Sequence, residues 1–139
     1  TNIGIVSLSE DEFFASSGVR SSVEAARNAL SDKIQYLTEF LGGEYEIQGA
    51  YPAWEYRKES PLRDKMVEVY ETMYGQKPEV VAIHAGLECG LFYKKIDGLD
   101  CVSLGPDMKD IHTSEEVLDI ASTERVWKYL VKVLEELKD

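Results

Sequence analysis

Residues 81–90 read VAIHAGLECG and residues 103–116 read SLGPDMKDIHTSEE, and these two stretches contain both histidines of the chain. In the first stretch an apolar run ends in a glycine-rich turn. In the second, another apolar run ends in Gly-Pro and leads to a histidine among carboxylates. Buried strands that end in polar loops deliver side chains to one edge of a sheet, as in α/β enzymes. The two stretches therefore predict an α/β fold with a site near His84 and His112.

The composition excludes several classes of partner. The chain has 139 residues, 44% of them apolar, which is enough for a compact core. Acidic residues outnumber basic ones by 26 to 15, so the net charge is −11. Nucleic acid and anionic membranes are therefore unfavourable partners, and no apolar run approaches the roughly 20 residues of a membrane span. Without a signal-like segment, the sequence predicts a soluble, cytoplasmic protein.

The first 51 residues predict a β-β-α-β layer. Apolar runs at 2–8 and 12–19 flank a polar turn and predict a hairpin. The spacing of Ser21 and Glu24 has the form of a capping box that opens a helix. The predicted buried face of this helix contains apolar residues three and four apart, namely Val23, Ala26, Leu30, Ile34, Leu37 and Leu41. Alternation at 45–48 predicts a further strand, and the order resembles part of a ferredoxin-like layer.

The remaining residues predict alternating helices and strands. Ser60 as N-cap, a proline at the first helical position and Gly75 at the end predict the second helix. Residues 79–83, continuously apolar from Val80 to Ile83, predict a strand that is covered on both faces, as in a parallel sheet, and residues 101–104 predict another buried strand. A short helix is expected after the glycine-rich turn and a last helix over 123–138. These elements predict a three-layer α/β segment.

The inward side of the last helix is predicted from its apolar spacing, and its members are Val126, Leu130, Val133, Leu134 and Leu137. A domain boundary is expected earlier in the chain, where residues 52–59 are aromatic, mixed in charge and without periodicity. The predicted domains are therefore 1–57 and 58–139.

The motifs at 83–90 and 103–116, together with VRSSVE at 19–24 and GAYPAWEY at 49–56, resemble the C-terminal part of a family of di-zinc metallopeptidases. This family includes Xaa-His dipeptidase, peptidase T and carboxypeptidase G, and the resemblance is strongest to Xaa-His dipeptidase. Its members are several times longer than 139 residues and carry most of their metal ligands upstream of this region. The resemblance implies a fragment, with parts of a lid and dimerisation domain and of a catalytic domain.

The resemblance also implies a function for the parent protein. That protein would hydrolyse Xaa-His dipeptides with two zinc ions, or with cobalt or manganese in their place. The general base and the other metal ligands would lie upstream, so no catalytic residue is expected within this chain, which would be inactive alone. Its expected partners are the dipeptide substrate, the missing N-terminal part of the same protein and a second copy bound through the lid segment.

His112 is the first candidate site residue. Its spacing to the neighbouring carboxylates suits a zinc ligand, yet a solvated loop histidine fits that spacing as well. The resemblance implies the ligand, because a histidine closely followed by glutamate binds metal in this family. Glu115 is expected to help orient His112.

The loop from His84 to Gly90 is the second candidate. In the family a glycine-rich loop lies here, close to the substrate, so Gly86 and Glu88 are expected to contact substrate and His84 to support the site. The alternatives remain a helix N-terminal carboxylate for Glu88 and a packed strand-end histidine for His84. Arg20 would bind the substrate carboxylate through its guanidinium, or else solvate the end of a strand.

A different class of function also agrees with the sequence. The chain would then be a self-contained binding or dimerisation module that has the fold of the peptidase and not its chemistry. The absence of a His-x-Asp motif and of a second ligand cluster favours this alternative. The acidic segment around His112 and the glycine-rich loop at 84–90 favour the peptidase fragment. A purely structural fragment without an independent role is the third reading.

Overall fold

The fold is described by a computed structural model over residues 1–84 and 88–138. It contains both helices and strands, which confirms the mixed composition predicted from the sequence. The elements are β1 (Asn2–Leu8), β2 (Phe13–Gly18), α1 (Glu24–Phe40), α2 (Pro61–Tyr74), α3 (Glu88–Lys95), β3 (Met108–Lys109), β4 (Val117–Leu118) and α4 (Ile120–Glu136).

The chain divides into two compact units. The first unit contains Thr1–Arg57 and Val81–Gly98, and the second contains Lys58–Val80 and Leu99–Asp139. Among the helices at 1–84 and 88–138, none combines the length and the apolar character that crossing a membrane requires. The prediction of domains at 1–57 and 58–139 concerns a longer protein and stays a prediction.

The first unit begins with the predicted hairpin, which the structure confirms. Strands β1 and β2 pair antiparallel from Asn2 opposite Gly18 to Leu8 opposite Phe13, with one register shift near the start of β1. Every residue of both strands is exposed. The hairpin therefore presents apolar side chains on both of its faces.

Helix α1 confirms the predicted helix but not its predicted cap. The N-cap is Val23, whose side chain makes no capping hydrogen bond, so the capping box is wrong. The Ser21 hydroxyl instead accepts the amide of Val23 at 3.1 Å, and the amide of Glu24 donates to the Glu55 carboxylate at 3.0 Å. A cap that comes from 31 residues away cannot be read from local spacing.

The predicted buried face of α1 is also wrong for the described residues. No residue of α1 is buried, and Leu37 and Leu41 are 61% and 74% exposed. The three- and four-residue spacing does place these side chains on one side of the helix. The spacing of apolar residues predicts which side of the helix is apolar. It does not predict whether another part of the chain packs against that side.

Three predicted strands are absent from the described structure. Residues 45–48, 79–83 and 101–104 are not strands, so the β-β-α-β layer lacks its last member and the predicted parallel sheet does not form. A strand exists only when a neighbouring strand completes its backbone hydrogen bonds. An apolar or alternating sequence indicates that a segment prefers to be buried. It does not indicate whether a neighbouring strand is present to form the hydrogen bonds of a sheet.

Helix α2 in the second unit confirms the prediction at both ends. The Ser60 hydroxyl accepts the amide of Arg63 at 3.1 Å, and Pro61 is the first helical residue. Gly75 ends the helix with a φ of 70°, in the left-handed region that glycine occupies without a steric penalty. Asp100 adds to the cap, because its carboxylate accepts the Ser60 hydroxyl at 2.7 Å.

Helices α2 and α4 pack together and form the core of the second unit. The buried apolar residues are Met66 and Val69 of α2 with Tyr129 and Val133 of α4. The Tyr129 hydroxyl donates to the carbonyl of Met66 at 2.7 Å, so this polar atom is satisfied inside the core. The ring of Tyr70 meets that of Tyr129 edge to face, with centroids 5.4 Å apart.

Helix α4 differs from its prediction in two details. It begins at Ile120, with Asp119 as N-cap, three residues before the predicted start. Leu134 and Leu137, predicted to face inward, are 55% and 47% exposed, whereas Val133 is buried as predicted. In the described residues α4 packs mainly against α2, and one helix covers only part of its apolar stripe.

Candidate functional site

His112 lies in the loop of a short hairpin. Strands β3 and β4 pair antiparallel, with Met108 opposite Leu118 and Lys109 opposite Val117. The sequence did not predict this hairpin, because strands of two residues are too short to show an alternating pattern. The seven residues 110–116 form the connection that carries the histidine.

The backbone at this loop has an uncommon conformation. His112 has a φ of 68°, and Asp110 has a φ of 52°, both in the left-handed region. Few non-glycine residues adopt it, although histidine and aspartate do so more often than most. Such a conformation persists only where the surroundings hold it, and it is a feature of ligand-binding segments.

Hydrogen bonds among residues 110–116 hold the loop, and one of them joins the amide of Glu116 to the carbonyl of Thr113 at 3.3 Å. The carbonyl of Asp110 accepts the amide and the hydroxyl of Thr113, at 3.1 and 2.7 Å. The amide of His112 donates to Oε2 of Glu116 at 2.7 Å, and the Thr113 hydroxyl accepts the amide of Glu115 at 3.2 Å. The carboxylate that orients the histidine backbone is thus Glu116, while the role expected for Glu115 stays a prediction.

The imidazole of His112 is exposed. It makes no hydrogen bond or ion pair within residues 1–84 and 88–138, because the contact with Glu116 uses the backbone amide. Its ring nitrogens are therefore open to an external ligand. This arrangement agrees with a metal ligand and equally with a solvated loop histidine.

The donors present do not complete a metal centre. The described residues contain no group of three or more His, Cys, Asp or Glu side chains arranged to hold a metal ion. Zinc takes three or four protein ligands, and an open imidazole on an ordered loop suits one of them. A complete centre would need ligands from outside the described residues.

A buried serine joins the base of the hairpin to helix α4. Ser122, 2% exposed, accepts the amide of Asp107 at 2.8 Å and donates to the carbonyl of Asp119 at 2.7 Å. The Asp119 carboxylate caps α4 by accepting the amide of Ser122 at 2.6 Å. Neither residue was predicted from the sequence, although an aspartate at this position is a typical helix N-cap signal.

The glycine-rich loop is described only in part. Gly86, predicted to contact substrate, lies outside the described residues. His84 is exposed and belongs to no helix or strand, and its role stays a prediction. Glu88 is exposed and is the first residue of α3, where the helix dipole favours a carboxylate. Both roles considered for Glu88 agree with this position.

Helix α3 packs closely against the preceding segment of the same unit. A Cβ at Gly90 would lie 3.0 Å from the carbonyl oxygen of Pro52 and 3.4 Å from Cβ of Trp54. The ammonium of Lys94 lies 3.4 Å from the carboxylate of Glu24. These contacts fix α3, and with it Glu88, relative to the N-terminus of α1.

Arg20 lies two residues after the end of β2 and is exposed. Its guanidinium has no hydrogen-bond or ion-pair partner in the described part of the chain. No hydrogen bond or ion pair links Arg20, His84 and Glu88 to one another among these residues. All three belong to the first unit, whereas His112 and Glu115 belong to the second.

Known proteins resemble the chain over most of its length. No family model matches it. It is 31% identical over 136 residues to the cytosol non-specific dipeptidase of Escherichia coli strain K12, which covers 98% of this chain and 28% of that protein. It is also similar to the crystal structure of aminoacylhistidine dipeptidase from Vibrio alginolyticus, with a TM-score of 0.69 and 34% identity.

That structural match covers 86% of this chain and 24% of the solved one. The chain therefore spans about a quarter of the length of the relatives it matches. Two comparisons, one of sequence and one of structure, both lead to dipeptidases. The predicted resemblance to dipeptidases is confirmed, and the chain is homologous to a segment of each of these two proteins.

Proposed function

We propose that this chain is part of a metal-dependent dipeptidase and that it supplies one metal ligand, His112, together with substrate-contacting groups. The observation that carries the proposal is the match to two dipeptidases over most of the chain, at 31% and 34% identity. The geometry of the His112 loop supports it, because an exposed imidazole on a hydrogen-bonded loop is available to a metal held partly by other residues.

In the longer protein, the metals would acidify a bound water and polarise the scissile carbonyl. The residues of this chain would do the positioning. Glu116 holds the backbone amide of His112 and so would help to position the Cα from which the imidazole projects. Glu115 and His84 would orient the residues that bind metal or substrate, without binding either themselves.

The substrate groups are proposed from the first unit. Arg20 has no hydrogen-bond or ion-pair partner among residues 1–84 and 88–138, and its guanidinium suits bidentate binding of a dipeptide's terminal carboxylate. Glu88 begins α3, whose position is fixed by the packing at Gly90, and it would contact substrate with Gly86. The two relatives are named for different specificities, so Xaa-His preference is the part of the proposal that a substrate panel must decide.

The partner of this chain would be the remainder of the same polypeptide. Residues 80–83 are apolar and have no strand partner among residues 1–84 and 88–138, and Val81 and Ile83 are 63% and 46% exposed. An exposed apolar segment of this kind is expected where the other strands of a buried sheet are absent. The proposed domains are 1–57 and 58–139, with a cytoplasmic location and dimerisation through the hairpin of the first unit.

The test compares the isolated chain with a polypeptide that includes upstream sequence. We expect the longer protein to bind zinc or manganese and to hydrolyse β-alanyl-histidine, and the isolated chain to do neither at comparable concentrations. Metal content is measured by elemental analysis and turnover by release of histidine. Turnover by the isolated chain would contradict the assignment of missing ligands, and a longer protein that binds no metal would favour the non-catalytic module.

The role of His112 is tested in the longer protein by His112→Asn. Asparagine tolerates the left-handed backbone at this position, so the loop conformation should survive while the imidazole is removed. We expect loss of about one metal ion per chain and a fall in kcat of at least about 100-fold, consistent with loss of a metal ligand. Thr113→Ser is the matched control, because it keeps the loop hydroxyl. Full metal content in His112→Asn would refute the role.

A further inference from the structure

The His112 loop is attached to the protein through the base of its hairpin. We infer that Ser122 is a positioning residue for this loop, which it orients through the two chain segments that enter and leave the hairpin. The inference rests on the proposed function, in which His112 is a metal ligand. It assigns to a buried hydroxyl of α4 the task of fixing where the imidazole is presented.

The first step is the closure of the hairpin. The amide of Asp119 donates to the carbonyl of Asp107 at 2.9 Å, directly below the two residue pairs of β3 and β4. Ser122 bridges the same two residues, since its oxygen accepts the amide of Asp107 at 2.8 Å and its proton goes to the carbonyl of Asp119 at 2.7 Å. The Ser122 hydroxyl thus forms hydrogen bonds with the residue that precedes β3 and with the residue that follows β4.

The Ser122 hydroxyl is buried. Ser122 is 2% exposed, so water does not replace the hydroxyl readily when it is removed. The amide of Asp107 would then lose its partner, at a cost of about 1–3 kcal/mol for an unsatisfied buried group. The serine is therefore a point at which the hairpin and the rigid helix α4 are strongly connected.

The third step is the weakness of the hairpin alone. Its ladder contains two residue pairs, and isolated two-stranded hairpins are marginally stable in water. The loop above it holds His112 and Asp110 at positive φ, which costs free energy at each residue. So short a ladder needs an anchor at its base, and Ser122 provides one. The Arg125 side chain adds an exposed contact to the Asp107 carboxylate at 3.1 Å.

The test is amide hydrogen exchange on the purified chain carrying Ser122→Ala. We expect exchange at the amides of Asp107, Asp119 and His112 to accelerate by about tenfold or more, from the loss of one buried hydrogen-bonded group. The amide of Val133 in the core of α4 is the reference and should change by less than about twofold. A selective rise in the hairpin separates positioning from general destabilisation.

Thr123→Ala is the matched control. The Thr123 hydroxyl donates to the same carbonyl of Asp119, at 3.1 Å, but it is exposed and does not contact Asp107. We expect this variant to leave the His112 amide within about twofold of its original exchange rate. Equal effects of the two substitutions would overturn the inference, because any hydroxyl at the helix start would then serve.

Two other outcomes would also overturn it. If His112 exchanges at its original rate in Ser122→Ala, the loop holds itself, and if hairpin and Val133 accelerate equally, the serine contributes stability alone. Should Ser122→Ala fail to fold, Ser122→Cys replaces the hydroxyl with a slightly larger thiol that forms weaker hydrogen bonds, and the same criteria apply. The measurement needs no metal or substrate, so its result is distinguishable from failure of the dipeptidase proposal.

Discussion

At the scale of single residues, Ser60 shows how one hydroxyl stabilises a helix terminus. It is 3% exposed, accepts the amide of Arg63 and donates to the carboxylate of Asp100. Ser60→Ala removes an N-cap and leaves a carboxylate oxygen short of one partner. We expect the free energy of unfolding to fall by about 1–3 kcal/mol, measured by urea denaturation.

Ser9 offers the control for that substitution. Its hydroxyl accepts the amides of Asp11 and Glu12 and donates to the carbonyl of Glu12, but the turn is exposed to water. Ser9→Ala should therefore change the free energy of unfolding by less than about 0.5 kcal/mol. Equal losses in the two variants would show that burial around Ser60 does not matter.

Tyr129 makes the stability of the second unit fall as the pH becomes alkaline. Burial raises the pKa of its hydroxyl, and Tyr70 and Tyr74 raise this pKa further. The unfolded state ionises near pH 10, whereas the folded state keeps the proton to higher pH. The stabilisation is thus fully present below about pH 10 and is lost as pH rises through the folded pKa.

Tyr129→Phe removes this titrating group and the hydrogen bond to the carbonyl of Met66. We expect the variant to be about 1 kcal/mol less stable at pH 7 and to lose less stability than the original protein between about pH 9 and 11. Thermal unfolding followed by circular dichroism at each pH measures both. Parallel pH curves for the two proteins would refute the assignment to Tyr129.

The residue scale also shows what the sequence could predict of caps and site residues. Ser60 and Gly75 act over three or four positions of one helix, so their roles were visible in the sequence. Glu55 and Ser122 act on residues that the fold alone brings near, at separations of 31 and 15 positions. Capping and positioning at a distance depend on tertiary contacts and have no local pattern.

At the scale of elements, the close packing of α3 depends on Gly90. A methyl group there would stand 3.0 Å from the carbonyl oxygen of Pro52, tighter than ordinary contact. Alanine would favour the helix by about 1 kcal/mol, so the sign depends on whether the neighbour can move. The segment after Pro52 is tied back by Glu55, which caps α1, and Arg27 binds the carbonyl of Tyr51 just before it.

Because this neighbour is held on both sides, we expect overpacking to prevail. Gly90→Ala should lower the free energy of unfolding by about 1 kcal/mol and shift the fluorescence of Trp54, which lies beside the new methyl group. Gly105→Ala is the control, since its Cβ would meet no atom within 4 Å. An increase in stability for Gly90→Ala would mean that the segment yields and that α3 is loosely held.

Elements differ in how well the sequence predicts them. The predicted helices all form, because a helix completes its own backbone hydrogen bonds. The hairpin of β1 and β2 also forms, since its partner strand follows a short turn. The runs at 79–83 and 101–104 need a partner from elsewhere, so their apolar character does not suffice. The short hairpin that carries His112 is the opposite case. Its two strands pair although their sequences show no alternating pattern.

At the scale of the whole molecule, charge and apolar surface act against each other. The net charge of −11 makes copies of the chain repel one another at pH 7. The first hairpin meanwhile exposes large apolar side chains, and the cross-strand pair of Leu8 and Phe13 is 77% and 68% exposed. Repulsion weakens when salt screens the charge or when pH approaches the isoelectric point near 4.6.

Association of the isolated chain should therefore rise with salt and with falling pH, as light scattering or sedimentation velocity would measure. The double substitution Leu8→Thr and Phe13→Thr removes one apolar pair while keeping residues that suit a strand, so it should reduce association at every pH. Tyr36→Thr, on the exposed side of α1, removes similar apolar area elsewhere and should reduce it less. If Tyr36→Thr has the larger effect, association proceeds through α1, and the hairpin is not the surface that another chain or the rest of the polypeptide covers.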